Sequence, residues 1–391
     1  MSRPVVTLSA HGIERLRSGH PWVYRSDVRS SNAEPGDLVR VESERGRPIG
    51  VGFWSSTSQI SLRFLGADNV LDERAMLADR LRAAIAFRDT LGIEGTAWRA
   101  VNAEADRLPG LIVDVYGEPP ARVVVLQTLT QGMDRRLPVI TELLVALLSP
   151  AGVLARNDPK VRRLEGLPEQ VTVPYGEVPD SLEVRQGPVW YGVDLRHGQK
   201  TGLFLDQREN YDAAARYGRG RALDAFAYHG GFALRLAGTC ASVAALDSSA
   251  PAVAQTRANA ARNSLANVEA REVNVFDELR ELELARERFD TIVLDPPAFA
   301  KARGSVPSAL RGYHDINLRA LRLLRPGGLL FTASCSYHVG RAEFLEMLRG
   351  AAADAGRRAT LRAVTGQPID HPEILTIPET GYLKGALVEV A

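Results

Sequence analysis

The stretch TIVLDPPAFAK, Thr291 to Lys301, carries an apolar run onto Asp295-Pro296-Pro297, and LLFTASCSYHV, Leu329 to Val339, carries another onto Cys335. Each run has the length and aliphatic content of a buried β-strand that ends in a reactive cluster. As parallel neighbours in a doubly wound sheet, the two strands would open both clusters into one crevice at their carboxyl ends. A carboxylate beside a thiol nucleophile there suggests attack on an electron-poor ring, not hydride or phosphoryl transfer.

Strand and helix patterns alternate on both sides of this pair from about Gly187. Candidate strands are Ala222 to Phe226, Ser242 to Asp247, Val268 to Asn274, Thr291 to Asp295 and Gly328 to Ser334. Helical stretches such as APAVAQTRANAARNSL (Ala250 to Leu265) and YHDINLRALRLLR (Tyr313 to Arg325) lie between them. The alternation predicts an α/β fold over residues 187–391, a doubly wound parallel sheet with helices on both faces. After Cys335 a helix (Arg341 to Gly356), a strand near Thr360 to Val364 and the final GALVEVA fit a terminal antiparallel hairpin.

The first strand leads into LDAFAYHGGFAL, in which Gly230-Gly231 lets backbone approach a ligand and aims N–H groups at it. Neither the GxGxxG of dinucleotide enzymes nor a Walker lysine is present. The second strand ends on Asp247, about twenty residues on, where a carboxylate can accept both hydroxyls of a ribose. Its other reading is a helix N-cap before Ser248 and Ser249. A ribose site without a pyrophosphate motif favours S-adenosylmethionine over NAD. On this reading Asp224, Phe226, Tyr228, Gly230 and Gly231 surround the cofactor on one side, and Asp247 and Ser248 hold its ribose. Asn274 or Asp277 meets the adenine, with Phe276 against the ring or in the core. HGQKTGLFLDQREN, His197 to Asn210, is too polar for a core and reads as a lid over the methionine end. Its candidates are Thr201, Asp206, Gln207 and Arg208, with Asp295 facing them.

Ahead of this region, residues 1–70 alternate in short β-like runs (GDLVRVES, PIGVGFW, SQISLRFL) separated by Gly/Pro turns, which suggests a small barrel. HGIERLRSGHPWVYRSDV, His11 to Val28, interleaves Arg15, Arg17 and Arg25 with Trp22 and Tyr24. Arginines among aromatics can hold phosphates and stack bases; equally, the aromatics can be core and the arginines a solvated face. Residues 71–186 mix a helix ending at Gly92 with apolar strands and a second helix, an α+β middle domain without a recognisable catalytic constellation.

Composition bounds the partners. The chain has 391 residues, 45% hydrophobic and 24% charged, and a formal net charge of +1, so any RNA contact must come from local patches. Met1 to Gly12 shows no signal-peptide run and no segment suggests a membrane span, which with two cysteines points to a reducing cytoplasm. The seven histidines show no paired metal-ligand spacing, so no metal is expected. Of 48 basic residues only Lys160, Lys200, Lys301 and Lys384 are lysine, the other 44 being arginine. The arginine excess reads first as a GC-rich coding bias; against that background a lysine marks a position where the reach and geometry of a guanidinium would not serve.

HPWVY, LPGLIVDVYG, GQKTGLFLDQREN, FAYHGGFAL, DPPAFAK, SCSYHV and DHPEILTIPETGYLKG together span the chain, which resembles the PUA-domain-containing 23S ribosomal RNA cytosine-5 methyltransferases. The resemblance implies a PUA domain, an α+β middle domain and a class I methyltransferase fold. It further implies Cys335 as nucleophile and Asp295 as the carboxylate that recognises the base. Asn274 departs from the aspartate expected to face adenine. Pro296 and Pro297 would lock the loop, with Phe299 and Lys301 toward the target base and Arg15, Arg17, Trp22 and Arg25 toward the RNA. Cys240, near the start of the second strand, reads as a buried structural residue. Two alternatives stay open: a base-amine RNA methyltransferase in which Cys335 is idle, and a non-catalytic RNA-binding protein.

Overall fold

The computed structural model describes residues 3–67, 72–300 and 302–391. They form two compact units. The first comprises Met1–Arg185, Val193–Leu203 and Ile369–Pro378, the second Gln186–Gly192, Phe204–Pro368 and Glu379–Ala391.

In the first unit, six strands between Val5 and Gly66 hydrogen-bond into one mixed sheet. Their period-2 alternation turns Val6, Leu8, Val23, Val39, Val41 and Leu62 into a fully buried cluster. The helix Ala10–Arg17 is started by Ser9, whose hydroxyl accepts the Gly12 N–H. A five-stranded sheet follows, built from Ala97–Asn102, Leu111–Tyr116, Val123–Thr128, Gly152–Asn157 and Gln170–Gly176. It is covered by Glu73–Asp89 and Leu137–Leu148, and its core residues Val113, Leu126, Leu77 and Leu144 pack in one cluster with Leu38 and Phe53. The late segment Ile369–Pro378 also belongs here: Asp370 accepts the Arg99 N–H and its carbonyl accepts from Arg88.

The second unit is built on seven strands: β1 (Arg221–Ala225), β2 (Ser242–Asp247), β3 (Val268–Glu272), β4 (Phe289–Leu294), β5 (Leu324–Ser334), β6 (Ala359–Thr365) and β7 (Lys384–Val390). The sheet order is β3-β2-β1-β4-β5-β7-β6. The first five strands are mutually parallel; β7 inserts antiparallel between β5 and β6. Strand order reverses at β1/β4, which is where such sheets open their ligand crevice. The apolar runs that reveal β4 and β5 arise because both faces are covered. Ile292, Leu294 and Leu330 face a cluster with α5 (Val306–Leu323) and α6 (Arg341–Asp354). Val293, Leu329 and Phe331 face the opposite cluster with Tyr211 on α1 (Arg208–Tyr217) and Phe232 on α2 (Gly231–Leu236).

Several boundaries depart from expectation. β3 stops at Glu272, because the Asn274 side chain accepts the Phe276 N–H and turns the chain into α4 (Val275–Leu284). β1 and β4 each end one residue early, leaving Phe226 and Asp295 just beyond their strands. α5 begins at Val306, well before Tyr313, with Pro307 in its first turn, where a missing N–H costs nothing.

Candidate active site

The turn leaving β1 is held in an unusual backbone conformation. Phe226, Tyr228 and Gly230 have φ of +70°, +48° and +86°, and each of the two non-glycine residues costs about 1–3 kcal/mol there. Gly231 answers a different constraint: a Cβ would lie 2.3 Å from the Tyr211 ring. What stabilises the turn is Asp247 at the end of β2. One carboxylate oxygen accepts the Tyr228 N–H at 2.8 Å and the other the Ser249 N–H at 2.9 Å. The cap of α3 (Ala250–Arg262) is Ser249, so the helix-cap reading of Asp247 is not what the geometry shows. Ser248 beside it is exposed.

Asp224, inside β1, is fully buried. Its Oδ2 accepts the Ala233 N–H in the first turn of α2 at 2.8 Å, while Oδ1 has no partner among the described residues. Burial pushes its carboxyl up to about 8; the Ala233 hydrogen bond opposes the shift, and the charges of Asp295 and Asp247 add to it. A buried carboxylate oxygen left without a donor suits a ligand that brings a cationic group. With Asp247 at the next strand end, the crevice fits a group carrying both a ribose and a positive charge, as S-adenosylmethionine does. Phe226 and Phe276 meet edge-on, with centroids 5.4 Å apart, beside this crevice. Asn274 is exposed, and its Oδ1 accepts the Phe276 N–H as the cap of α4.

The polar segment ahead of the sheet is divided. Thr201 belongs to the first unit, where its hydroxyl donates to Asp114 Oδ2 at 2.6 Å and shares a hydrogen bond with Tyr116. Asp206, Gln207 and Arg208 belong to the second and are all buried. Gln207 donates from Nε2 to Asp295 Oδ2 at 2.9 Å, and its Oε1 accepts from Asn210 Nδ2 at 2.6 Å. Tyr382 donates to Asp206 Oδ2 at 2.7 Å.

β4 and β5 are parallel neighbours, with Leu294 level with Thr332, so Asp295 and Cys335 leave the same edge of the sheet. Cys335 is half-buried, its Sγ 4.0 Å from the Pro296 carbonyl. Ser336 ties the surroundings together: its Oγ accepts the Ala300 N–H at 3.1 Å and shares a hydrogen bond with Tyr313 at 2.9 Å. Pro296 is buried and Pro297 exposed. Phe299 packs on Tyr313 at 4.5 Å and lies 5.9 Å from Phe276, so one ring face is already covered. Lys301 lies outside the described residues. Cys240 is buried at the opposite end of the sheet, ahead of β2, and burial raises its thiol pKa.

In the first unit, the candidate RNA residues differ in how far they are already engaged. Arg15 lies over the Tyr24 ring and 3.6 Å from Asp27; Arg25 donates to the Ser56 and Ser58 carbonyls; Trp22 donates to Glu104. Arg17 is exposed at the end of its helix. Sequence reasoning missed Asn210, Tyr313, Ser336 and Tyr382. Of these, Asn210, which closes the polar lid stretch, and Ser336, adjacent to Cys335, carried a local signal. Among the described residues no cluster of His, Cys, Asp or Glu is arranged to hold a metal, and no helix is long and apolar enough to cross a membrane.

Residues 6–66 match the PUA-like domain family, and residues 169–372 match the S-adenosylmethionine-dependent methyltransferase family. Ribosomal RNA large subunit methyltransferase I of Aeromonas hydrophila is 38% identical over 385 residues, covering 94% of this chain and 95% of that protein. The protein of the same name from Shewanella amazonensis is 38% identical over 381 residues, with 95% of each covered. A solved SAM-dependent methyltransferase from Streptococcus mutans superposes with a TM-score of 0.82 at 19% identity over 100% of both chains, a likeness of fold.

Proposed function

The chain belongs to the S-adenosylmethionine-dependent methyltransferase family and, within it, to the ribosomal RNA large subunit methyltransferase I family, and from that premise we propose that it methylates carbon 5 of a cytosine in 23S ribosomal RNA through a covalent adduct on Cys335. The observation that carries the proposal is the pairing of Cys335 with Asp295 at the ends of adjacent parallel strands. Its substrate would place the protein in the cytoplasm, and the PUA-like domain would supply RNA contacts.

Carbon 5 of cytosine is too weak a nucleophile to accept a methyl group unaided. Addition of the Cys335 thiolate at carbon 6 makes carbon 5 enamine-like and divides one difficult step into two. Asp295, oriented by Gln207, hydrogen-bonds the exocyclic amine, or nitrogen 3 once that atom carries the proton taken up as the thiolate adds, and stabilises the protonated adduct. Bound S-adenosylmethionine supplies the electrophilic methyl group. A base or a water molecule then takes the carbon 5 proton, and the electron pair left behind re-forms the ring double bond and expels the Cys335 thiolate from carbon 6, which frees the enzyme. Asp247 would hold the ribose, while Asp224 faces the cationic end. Asp206, Gln207 and Arg208 line the lid side, with Phe226 and Phe276 against the adenine.

The test is RNA carrying 5-fluorocytosine at the target. Fluorine cannot leave as a proton does, so the methylated thioether should persist through denaturing electrophoresis and map to Cys335. Cys335→Ala should abolish trapping and turnover, and Cys240→Ala should keep both. An adduct on Cys240, or full activity in Cys335→Ala, would overturn the covalent reading in favour of base-amine methylation.

A further inference from the structure

Lys384 opens β7, is 3% exposed, and is one of only four lysines among 48 basic residues. In the β5–β7 pair it lies opposite Ser334, the residue before Cys335. Its Nζ donates to the carbonyl of Ser336, the residue after Cys335, at 2.7 Å and to the Tyr382 carbonyl at 2.8 Å. Resting on the reading of Cys335 as nucleophile, we infer that Lys384 is a positioning residue for that thiol: it fixes the turn on both sides of Cys335, and its buried charge favours the thiolate.

The choice of lysine follows from geometry. Two carbonyls converge on one nitrogen, which a compact ammonium satisfies and a planar guanidinium, with its donors spread over a fork, does not. Carbonyl acceptors satisfy the ammonium while leaving its positive charge in place. An ordinary thiol, with a pKa of about 8.5, is only a few per cent ionised at neutral pH, so the nucleophile needs such a charge. Other groups face the same turn. Asp295 comes from the end of β4 and Tyr313 from α5; Tyr382 lies before β7 with Asp206 bonded to it; Tyr211 comes from α1; and Tyr337 and His338 follow in the turn itself. Asp295 and Asp206 oppose ionisation of the thiol, and a cation on the neighbouring strand offsets them.

The experiment is the pH dependence of iodoacetamide alkylation at Cys335, read by peptide mass spectrometry on the full chain, with Cys240 as internal reference. The wild-type midpoint should lie below the ordinary value of about 8.5. Lys384→Met, close in length but uncharged, should raise the midpoint by about 1 unit and slow alkylation at pH 7 by about tenfold. Lys384→Arg, which keeps the charge but not its convergence on both carbonyls, should keep only part of the depression. Melting and S-adenosylmethionine calorimetry verify that each variant is folded. An unchanged midpoint in folded Lys384→Met overturns the inference. So does a wild-type midpoint at or above the ordinary value, which needs no variant to fold. Methyl transfer by Cys335→Ala would instead remove the nucleophile reading while leaving the alkylation result for Lys384 standing, so the two failures are distinguishable.

Discussion

Gln207 and Asp295, 88 residues apart in sequence, are joined by a 2.9 Å hydrogen bond, and Asn210 in turn holds the Gln207 carbonyl oxygen. Because that oxygen accepts from Asn210, the amide's orientation is fixed and its N–H is aimed at the carboxylate. A residue first read as part of the cofactor lid is therefore also bonded to the carboxylate proposed to recognise the base.

Gln207→Leu should leave S-adenosylmethionine affinity within threefold of wild type and lower kcat. A hydrogen bond to a charged group contributes about 1.5–3 kcal/mol, so the loss should be roughly 10- to 100-fold. Gln207→Glu, which sets a like charge beside Asp295, should be worse. Calorimetry together with single-turnover methylation decides the point. A large loss of cofactor affinity with kcat unchanged would return Gln207 to the lid alone.

The parts that were legible in the sequence are those with local causes. β4 and β5 are buried on both faces, so their apolar runs are continuous, and β2 matches its expected span from Ser242 to Asp247. The closing hairpin was also legible as two short strands, and β6 and β7 do pair antiparallel. Its insertion beside β5 was not, because nothing local records which neighbour a strand will take. That placement is what brings Lys384 to the Cys335 turn, and the chain just before it brings Tyr382 to Asp206, 176 residues away. The early start of α5 was hidden by Pro307, which reads as a breaker unless it is placed in a helix's first turn.

Asp224 predicts a proton linkage. With its carboxyl pushed up to about 8 by burial, it is mostly neutral at pH 7 in the free protein. A raised carboxyl pKa means that stability is greatest below the unfolded value near 3.9 and falls as pH rises through about 8. A cationic ligand beside Asp224 reverses the preference and expels the proton. Binding of S-adenosylmethionine at pH 7 should thus release most of one proton, seen as a buffer-dependent enthalpy in calorimetry, and Asp224→Asn should abolish that release. The same release in Asp224→Asn would mean that its source lies elsewhere.

The N-terminal arginines should separate by their present engagement. Arg17 is exposed, whereas Arg25 is spent on the Ser56 and Ser58 carbonyls and Arg15 on Tyr24 and Asp27. If this face holds RNA, Arg17→Ala should weaken binding and lower the salt slope by about 0.7–0.9 for each phosphate lost. Arg25→Ala should mainly lower the melting temperature. Filter binding across a salt series tests this, and an unchanged slope in Arg17→Ala returns that residue to a solvated surface.

Asp247 and Ser249 allow the ribose reading to be separated from a helix-cap reading, because the structure assigns the cap to Ser249. Ser249→Ala should cost about 1 kcal/mol of stability, the usual worth of an N-cap, and leave cofactor affinity nearly unchanged. Asp247→Ala removes more. The Tyr228 and Ser249 amides lose their acceptor, so the strained turn after β1 loosens, and a ribose loses a charged partner. Each charge-assisted bond to the ribose contributes about 1.5–3 kcal/mol, so affinity should fall by at least 10-fold and by more if both hydroxyls are held. Asp247→Asn keeps the shape and one oxygen, and should fall between the two in affinity. Comparing S-adenosylmethionine with its 2′-deoxy analogue completes the argument: the analogue should bind wild type worse than the parent and bind Asp247→Ala about as well. If wild type does not distinguish the two compounds, Asp247 serves only to hold the turn.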